Sequence, residues 1–158
     1  MSIWRTYYHL VWATRDRIPS ITDTVAPELY RYIQAKAESL DCSLHALGGV
    51  ADHIHLIVSI PPKHSIAFVV KRMRGGSSRH ISTEFPGHRL AWQREYGAFS
   101  LGGKQLPDAI AYVENQPHHH ATQTLIASLE PEAFAPAPKL PNPFQWVALN
   151  QPIYQSHL

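Results

Sequence analysis

Two hydrophobic periods alternate along the chain, and each predicts an element. Residues 3–14 (IWRTYYHLVWAT) are dense in aromatic and β-branched side chains and read as a first strand, closed by the polar turn Arg15-Asp16-Arg17-Ile18-Pro19. A helix follows, with Thr22 or Asp23 as cap, Pro27 in its first turn, and Leu29, Ile33, Ala37 and Leu40 recurring along one face. Ser43 to Leu47 and His53 to Ile60 form two further strands, linked by Gly48-Gly49-Val50-Ala51-Asp52 as an antiparallel hairpin. A second helix starts at Ser65, buries Ile66, Val69, Val70 and Met73, and is expected to stop at Gly75-Gly76. After a short helical or irregular piece (Ser77 to Thr83), Leu90 to Leu101 reads as strand bent at Arg94-Glu95, and a third helix runs from about Pro107 to Gln116.

That order predicts an α+β, ferredoxin-like (split βαβ) sandwich: an antiparallel sheet with helices on one face, the other face open for function, and a further C-terminal helix. With 158 residues and 44% hydrophobic content, one core is the expectation. It should occupy residues 1–129, because residues 130–158 carry six prolines from Pro131 to Pro152 and read as an extended tail. Many activities share this topology, so the residues must decide function. A net charge of +2 does not by itself announce a polyanion partner. Cys42 is the single cysteine, which excludes an internal disulfide framework and a zinc site of paired cysteines. A reducing, cytoplasmic setting is expected, since neither a secretory leader nor an apolar run of about 18 residues is visible.

Chemistry enters at Asp52-His53-Ile54-His55-Leu56. Strand alternation sends Ile54, Leu56, Val58 and Ile60 one way and the two imidazoles the other, about 6.5 Å apart along the strand, which is half of a metal site. The bland alternative is a solvent-facing strand with two incidental histidines. On the third helix, Leu106, Ala109, Ile110 and Val113 form the buried stripe, while Tyr112 and Gln116 share an adjacent face. If that face overlooks the histidines, Gln116 supplies a third ligand and Tyr112 a nucleophile; taken alone, such a tyrosine is a core-edge residue. Pro117 biases Gln116 away from helical dihedrals. The triplet His118, His119 and His120 reads as surface, with replacement of Gln116 by one of them as the alternative. Lys71, Arg72, Arg74 and Arg79, interleaved with glycine and serine, are suited to DNA phosphates, though cations also favour any helix C-terminus. Trp92 and Tyr96 are given no site role.

Taken together, these residues resemble the single-tyrosine HUH transposases of the smallest bacterial insertion sequences and their relatives associated with repetitive palindromes. The likeness runs over roughly residues 5–120, through Tyr8-His9-Leu10-Val11-Trp12-Ala13-Thr14, the His53/His55 strand, Lys71 to Ser78, Trp92-Gln93 and Tyr112-Val113-Glu114-Asn115-Gln116. It implies that His53, His55 and Gln116 bind a divalent metal, Mg²⁺ or Mn²⁺, and that Tyr112 attacks single-stranded DNA. The products would be a 5′-phosphotyrosine and a free 3′-hydroxyl, on substrates that are hairpin-forming element ends. A homodimer is expected, the Gly102-Gly103-Lys104 linker being flexible enough to exchange the tyrosine helix between subunits. Two rival readings are a catalytically silent nucleic-acid-binding module on the same fold and a phosphodiesterase that activates water between His53 and His55.

Overall fold

In the computed structural model, which describes residues 2–122 and 125–131, the apolar alternation of two strands sets the centre of the molecule. β1 (Tyr7–Ala13) and β3 (His53–Ser59) pair antiparallel, with Leu10 opposite Leu56 and Trp12 opposite Ile54. β2 (Ser43–Val50) adds beside β3 and β4 (Gly97–Leu101) beside β1, giving the antiparallel order β2-β3-β1-β4. Two helices, α1 (Ala26–Ser39) and α2 (Ile66–Glu84), cover one face. Leu10, Trp12, Ile54, Leu56 and Val58 meet Leu29, Ile33, Val69, Val70 and Met73 there in the main core. The fold is the ferredoxin-like α+β sandwich that the pattern predicts.

The element bounds differ from the pattern for identifiable reasons. β1 starts at Tyr7, and Ile3 and Trp4, which read as strand, are exposed. Only Gly97–Leu101 of the predicted 90–101 strand joins the sheet, Trp92 making an isolated bridge with Thr14. α2 passes straight through Gly75-Gly76 instead of stopping. Its buried stripe continues to Ser77 and Ile81, and that packing outweighs the low helix propensity of the two glycines, while Ser77, Ser78, Ser82 and Thr83 satisfy their hydroxyls on carbonyls three or four residues earlier. Gly48 and Gly49 belong to β2 rather than to the hairpin link, leaving Ala51-Asp52 as the turn.

The sheet face expected to be open is covered. α3 (Leu106–Glu114) lies across it, followed by α4 (Gln116–Thr122), and the chain returns at residues 125–131. Ile57, Ala46 and Leu101 pack with Ala109, Tyr112, Val113 and Leu129 in a second, smaller core. Gly48 permits this approach, because a β-carbon there would stand 2.1 Å from the Val113 carbonyl oxygen. Of the proline-rich stretch 130–158, residues 132–158 lie outside the described residues. Among the described residues no helix is long and apolar enough to cross a membrane.

Gly48→Ala should therefore lower unfolding free energy by about 1–3 kcal/mol, as overpacking does. At Gly75, where a β-carbon meets nothing within 4 Å, Gly75→Ala should raise it by about 0.5–1 kcal/mol. Urea denaturation of both variants checks the contrast, and equal midpoints would contradict it.

Candidate active site

Because Ile54, Leu56 and Val58 face the main core, His53 and His55 must face α3, and both are fully buried there. Their rings lie 5.2 Å apart. His9 on β1 shares that face, since the register sets Val11 against His55 and Ala13 against His53. His9 Nε2 lies 2.8 Å from His55 Nδ1.

At the head of β3, Asp52 bonds His53 Nδ1 at 2.8 Å, while its other oxygen accepts from Arg17 Nε at 3.0 Å. An ionised carboxylate only accepts, so His53 carries a proton on Nδ1 and its Nε2 points inward. His120 Nε2 at 3.1 Å and Glu130 Oε2 at 3.0 Å close on that nitrogen. Acceptor atoms facing one another repel, so a proton or a metal ion shared among these three groups relieves the repulsion. One ligand atom each from His53, His120 and Glu130 lies within 4.8 Å of the others. His55 Nε2, 3.6 Å from Glu130 Oε1, is buried without a hydrogen-bond partner, as are both amide atoms of Gln116. Imidazole, amide and carboxylate donors around orphaned polar atoms fit a divalent ion.

Tyr112 completes the cluster from α3. Its Oη donates to Glu130 Oε1 at 2.6 Å and accepts from Ile126 N–H at 3.0 Å. Its ring meets the edge of His55 at 5.9 Å and stacks on His119 at 4.8 Å. Burial, reinforced by the Glu130 carboxylate, pushes the phenol well above its ordinary range. Burial alone would raise Glu130 too, but the His53 and His55 rings outweigh it and hold the carboxyl well below the usual carboxylate range. The pair is a protonated phenol on an ionised carboxylate.

The structure brings Tyr112, His53, His55 and Gln116 together within one chain. Pro117 acts differently from expectation: α3 ends at Glu114, and a new helix starts at Gln116, where the proline occupies the first turn and no N–H is needed. Tyr112, Gln116 and His120 then recur at intervals of four on the site side. Of the histidine triplet, read as surface, His118 is exposed but His119 and His120 take part. The spacing 112, 116, 120 was the available signal. For Glu130, buried in the site though first in the proline-rich stretch, no sequence signal existed.

The basic residues stand elsewhere, on α2 across the sheet. Lys71, Arg72 and Arg79 are exposed. Arg74 is engaged: its Nη1 donates to the carbonyls of Gln93 at 2.7 Å and Arg94 at 2.8 Å, and its guanidinium lies 5.5 Å from the Tyr96 ring.

Comparison with known proteins agrees with this architecture. A family model described as "Transposase IS200 like" matches residues 2–116. The ISDra2 transposase TnpA of Deinococcus radiodurans is 24% identical over 121 residues, 72% of this chain and 86% of the relative. A crystal structure from Deinococcus radiodurans R1, described as that of a transposase, superposes with a TM-score of 0.60 at 29% identity, covering 73% of this chain and 93% of that one. The structure of a REP-associated tyrosine transposase bound to a REP hairpin gives 0.57 at 15% identity, covering 76% of this chain and 74% of that one, and shows the shared fold.

Asp52→Ala, by releasing the outer nitrogen of His53, should weaken Mn²⁺ binding by about 10–100-fold in calorimetric titration; unchanged affinity would sever the link. Acid should destabilise the chain in EDTA. Burial lowers the pKa of both His9 and His55, so below about pH 6.5 the unfolded chain takes protons that the folded chain refuses. Stability is then undiminished above that pH and falls beneath it, with Glu130 adding a further loss at lower pH. The thermal midpoint should drop between about pH 7 and pH 5, and a midpoint that stayed level would contradict the buried, neutral rings.

Proposed function

The chain belongs to the IS200-like transposase family, and on that premise we propose that it cleaves and rejoins single-stranded DNA through Tyr112 with the help of a divalent metal. One carboxylate carries the reading: Glu130 takes the Tyr112 hydroxyl on one oxygen and lies against His53 with the other. Nucleophile and cation-binding rings thus face a single point.

Mg²⁺ or Mn²⁺ would be held by His53, His55 and Gln116, with His120 and Glu130 beside them, and would supply Lewis-acid withdrawal of charge from the scissile phosphate. The residues of the chain do the rest. Asp52 and His9 hold the outer nitrogens of the two rings and fix their aim. Glu130 Oε1 accepts the Tyr112 Oη hydrogen bond and aims that oxygen at phosphorus, and the phenol would release its proton to water where a bound cation favours the phenoxide. The bond to the 3′ oxygen breaks, that oxygen takes up a proton from water, and the tyrosine retains the 5′-phosphate as an ester. Another strand's 3′-hydroxyl reverses the attack, so strands are joined without nucleotide hydrolysis.

Hairpin-forming DNA is the substrate class we favour, supported by the hairpin in the solved relative of like fold. A homodimer in which Gly102-Gly103-Lys104 lets α3 of one subunit serve the histidines of the other would assemble the same constellation of side chains.

Labelled single-stranded hairpin DNA, incubated with protein and Mg²⁺ and run on a denaturing gel, tests the reading. A covalent adduct is expected that EDTA abolishes and Tyr112→Phe eliminates, with Glu130→Gln, which loosens the hold on the tyrosine, slowing its formation by about 10²-fold. Cleavage that persists in Tyr112→Phe would assign the chemistry to water, and intact DNA in every lane would leave a binding module.

A further inference from the structure

Two of the groups that meet His53 come from beyond the span shared with the family. The family match ends at residue 116, whereas His120 lies one turn further along α4 and Glu130 lies on the returning segment. Both reach the same nitrogen. His53 Nε2 stands 3.1 Å from His120 Nε2 and 3.0 Å from Glu130 Oε2, and the latter two stand 3.6 Å apart. Around a tetrahedral zinc ion, with bonds of about 2.0–2.1 Å to nitrogen and oxygen, neighbouring donors are about 3.3–3.4 Å from one another. The triangle therefore has the dimensions of one face of such a shell.

Donor chemistry decides which ion that face takes. Mg²⁺ prefers oxygen and keeps several of its waters, whereas imidazole nitrogen favours Zn²⁺ and its transition-metal neighbours. Two corners of the triangle are imidazole nitrogens. His55 Nε2, buried without a hydrogen-bond partner and 3.6 Å from Glu130 Oε1, offers a third. Asp52 holds the outer nitrogen of His53, as a metal-bound imidazole requires. The His120 side chain is 27% exposed, which opens the cluster to an ion from solvent on that side. A proton shared among the same three groups is the competing occupant.

We propose that His53, His120 and Glu130 form a Zn²⁺ site in the DNA-free protein, one that staples α4 and the returning segment to β3. This deepens the function proposed above and rests on His53 Nε2 facing a cation there. That nitrogen has one lone pair, so it serves one ion at a time. The set described for Mg²⁺ or Mn²⁺, with His55 and Gln116, and the Zn²⁺ set are thus alternatives that share a single ligand. Glu130 also accepts the Tyr112 hydroxyl on its other oxygen, so the staple fixes the tyrosine as well.

The test uses the full chain stripped of metal, without DNA. Calorimetric titration should show Zn²⁺ binding on the order of 100-fold or more tighter than Mg²⁺. His120→Ala and Glu130→Gln should each weaken Zn²⁺ binding by about 100-fold and change Mg²⁺ binding by less than about threefold. Glu130→Gln keeps the size of the side chain and an acceptor for Tyr112, so its loss reports the missing charge rather than failed folding. His118→Ala, at an exposed neighbour, should change neither ion. Co²⁺ in place of Zn²⁺ should give the intense visible absorption of a four-coordinate ion, and hydrogen exchange in α4 and residues 126–130 should slow with Zn²⁺ but not with Mg²⁺. Zn²⁺ bound no more tightly than Mg²⁺, Zn²⁺ affinity unchanged in His120→Ala, or an equal loss in His118→Ala overturns the proposal. Cleavage is not read in any of these measurements, so their failure is distinguishable from failure of the adduct assay.

Discussion

A buried ring of acceptors around one histidine nitrogen constrains everything else in this molecule. His53 Nε2, the Glu130 carboxylate and the half-buried His120 Nε2 converge beside α3. Such a cluster is stabilised by a proton or metal ion shared among its atoms and by donors around its rim. Arg17 and Asp52 supply the rim on one side, and His9 and Tyr112 on the others. Bringing α3 close enough to cover the cluster requires a strand without a side chain at Gly48. A packing constraint of a few ångströms thus makes the polar chemistry affordable.

The sheet divides the work between its faces. On one, Leu10, Trp12, Ile54 and Leu56 bury hydrocarbon against α1 and α2 and hold the fold together. On the other, the same strands present His9, His53 and His55, which contribute chemistry in place of much of the apolar packing. Since β3 is buried on both faces, neither set of side chains is free to slip: a shift of one residue would exchange hydrocarbon for imidazole in the main core. The Arg15–Arg17 turn joins the histidine face to the groove along α2, which Arg15 lines while Arg17 holds Asp52. Both Asp16 and Arg17 in that turn have positive φ, at 55° and 56°, which fixes a path that ordinary extended backbone would not follow.

Much of this was legible in the residues. The period of two in His53–Ser59 and the helical stripe from Leu106 to Val113 identified the elements and the direction in which His53, His55, Tyr112 and Gln116 project. Local signals misled where a neighbour overruled them. Gly75-Gly76 reads as a helix end, but Ser77 and Ile81 continue the buried stripe, and their packing on the core outweighs the propensity of two glycines. Gly48 reads as part of a turn, yet it is there to admit the Val113 carbonyl. Pro117 reads as a helix breaker, and by breaking α3 it starts the short helix that carries Gln116 and His120 inward.

Sequence alone determined which chemical groups were available and which face of each element they occupy, because alternation and helical repeat are properties of a local backbone. It also supplied the spacing of 112, 116 and 120. Only tertiary structure decided that the second face is covered, that His9 meets His55, that Arg74 is a loop clamp, and that Glu130 returns to hold the tyrosine. Each of those depends on two segments far apart in the chain meeting at hydrogen-bond distance, and a distance between segments is written in packing, which no local period encodes.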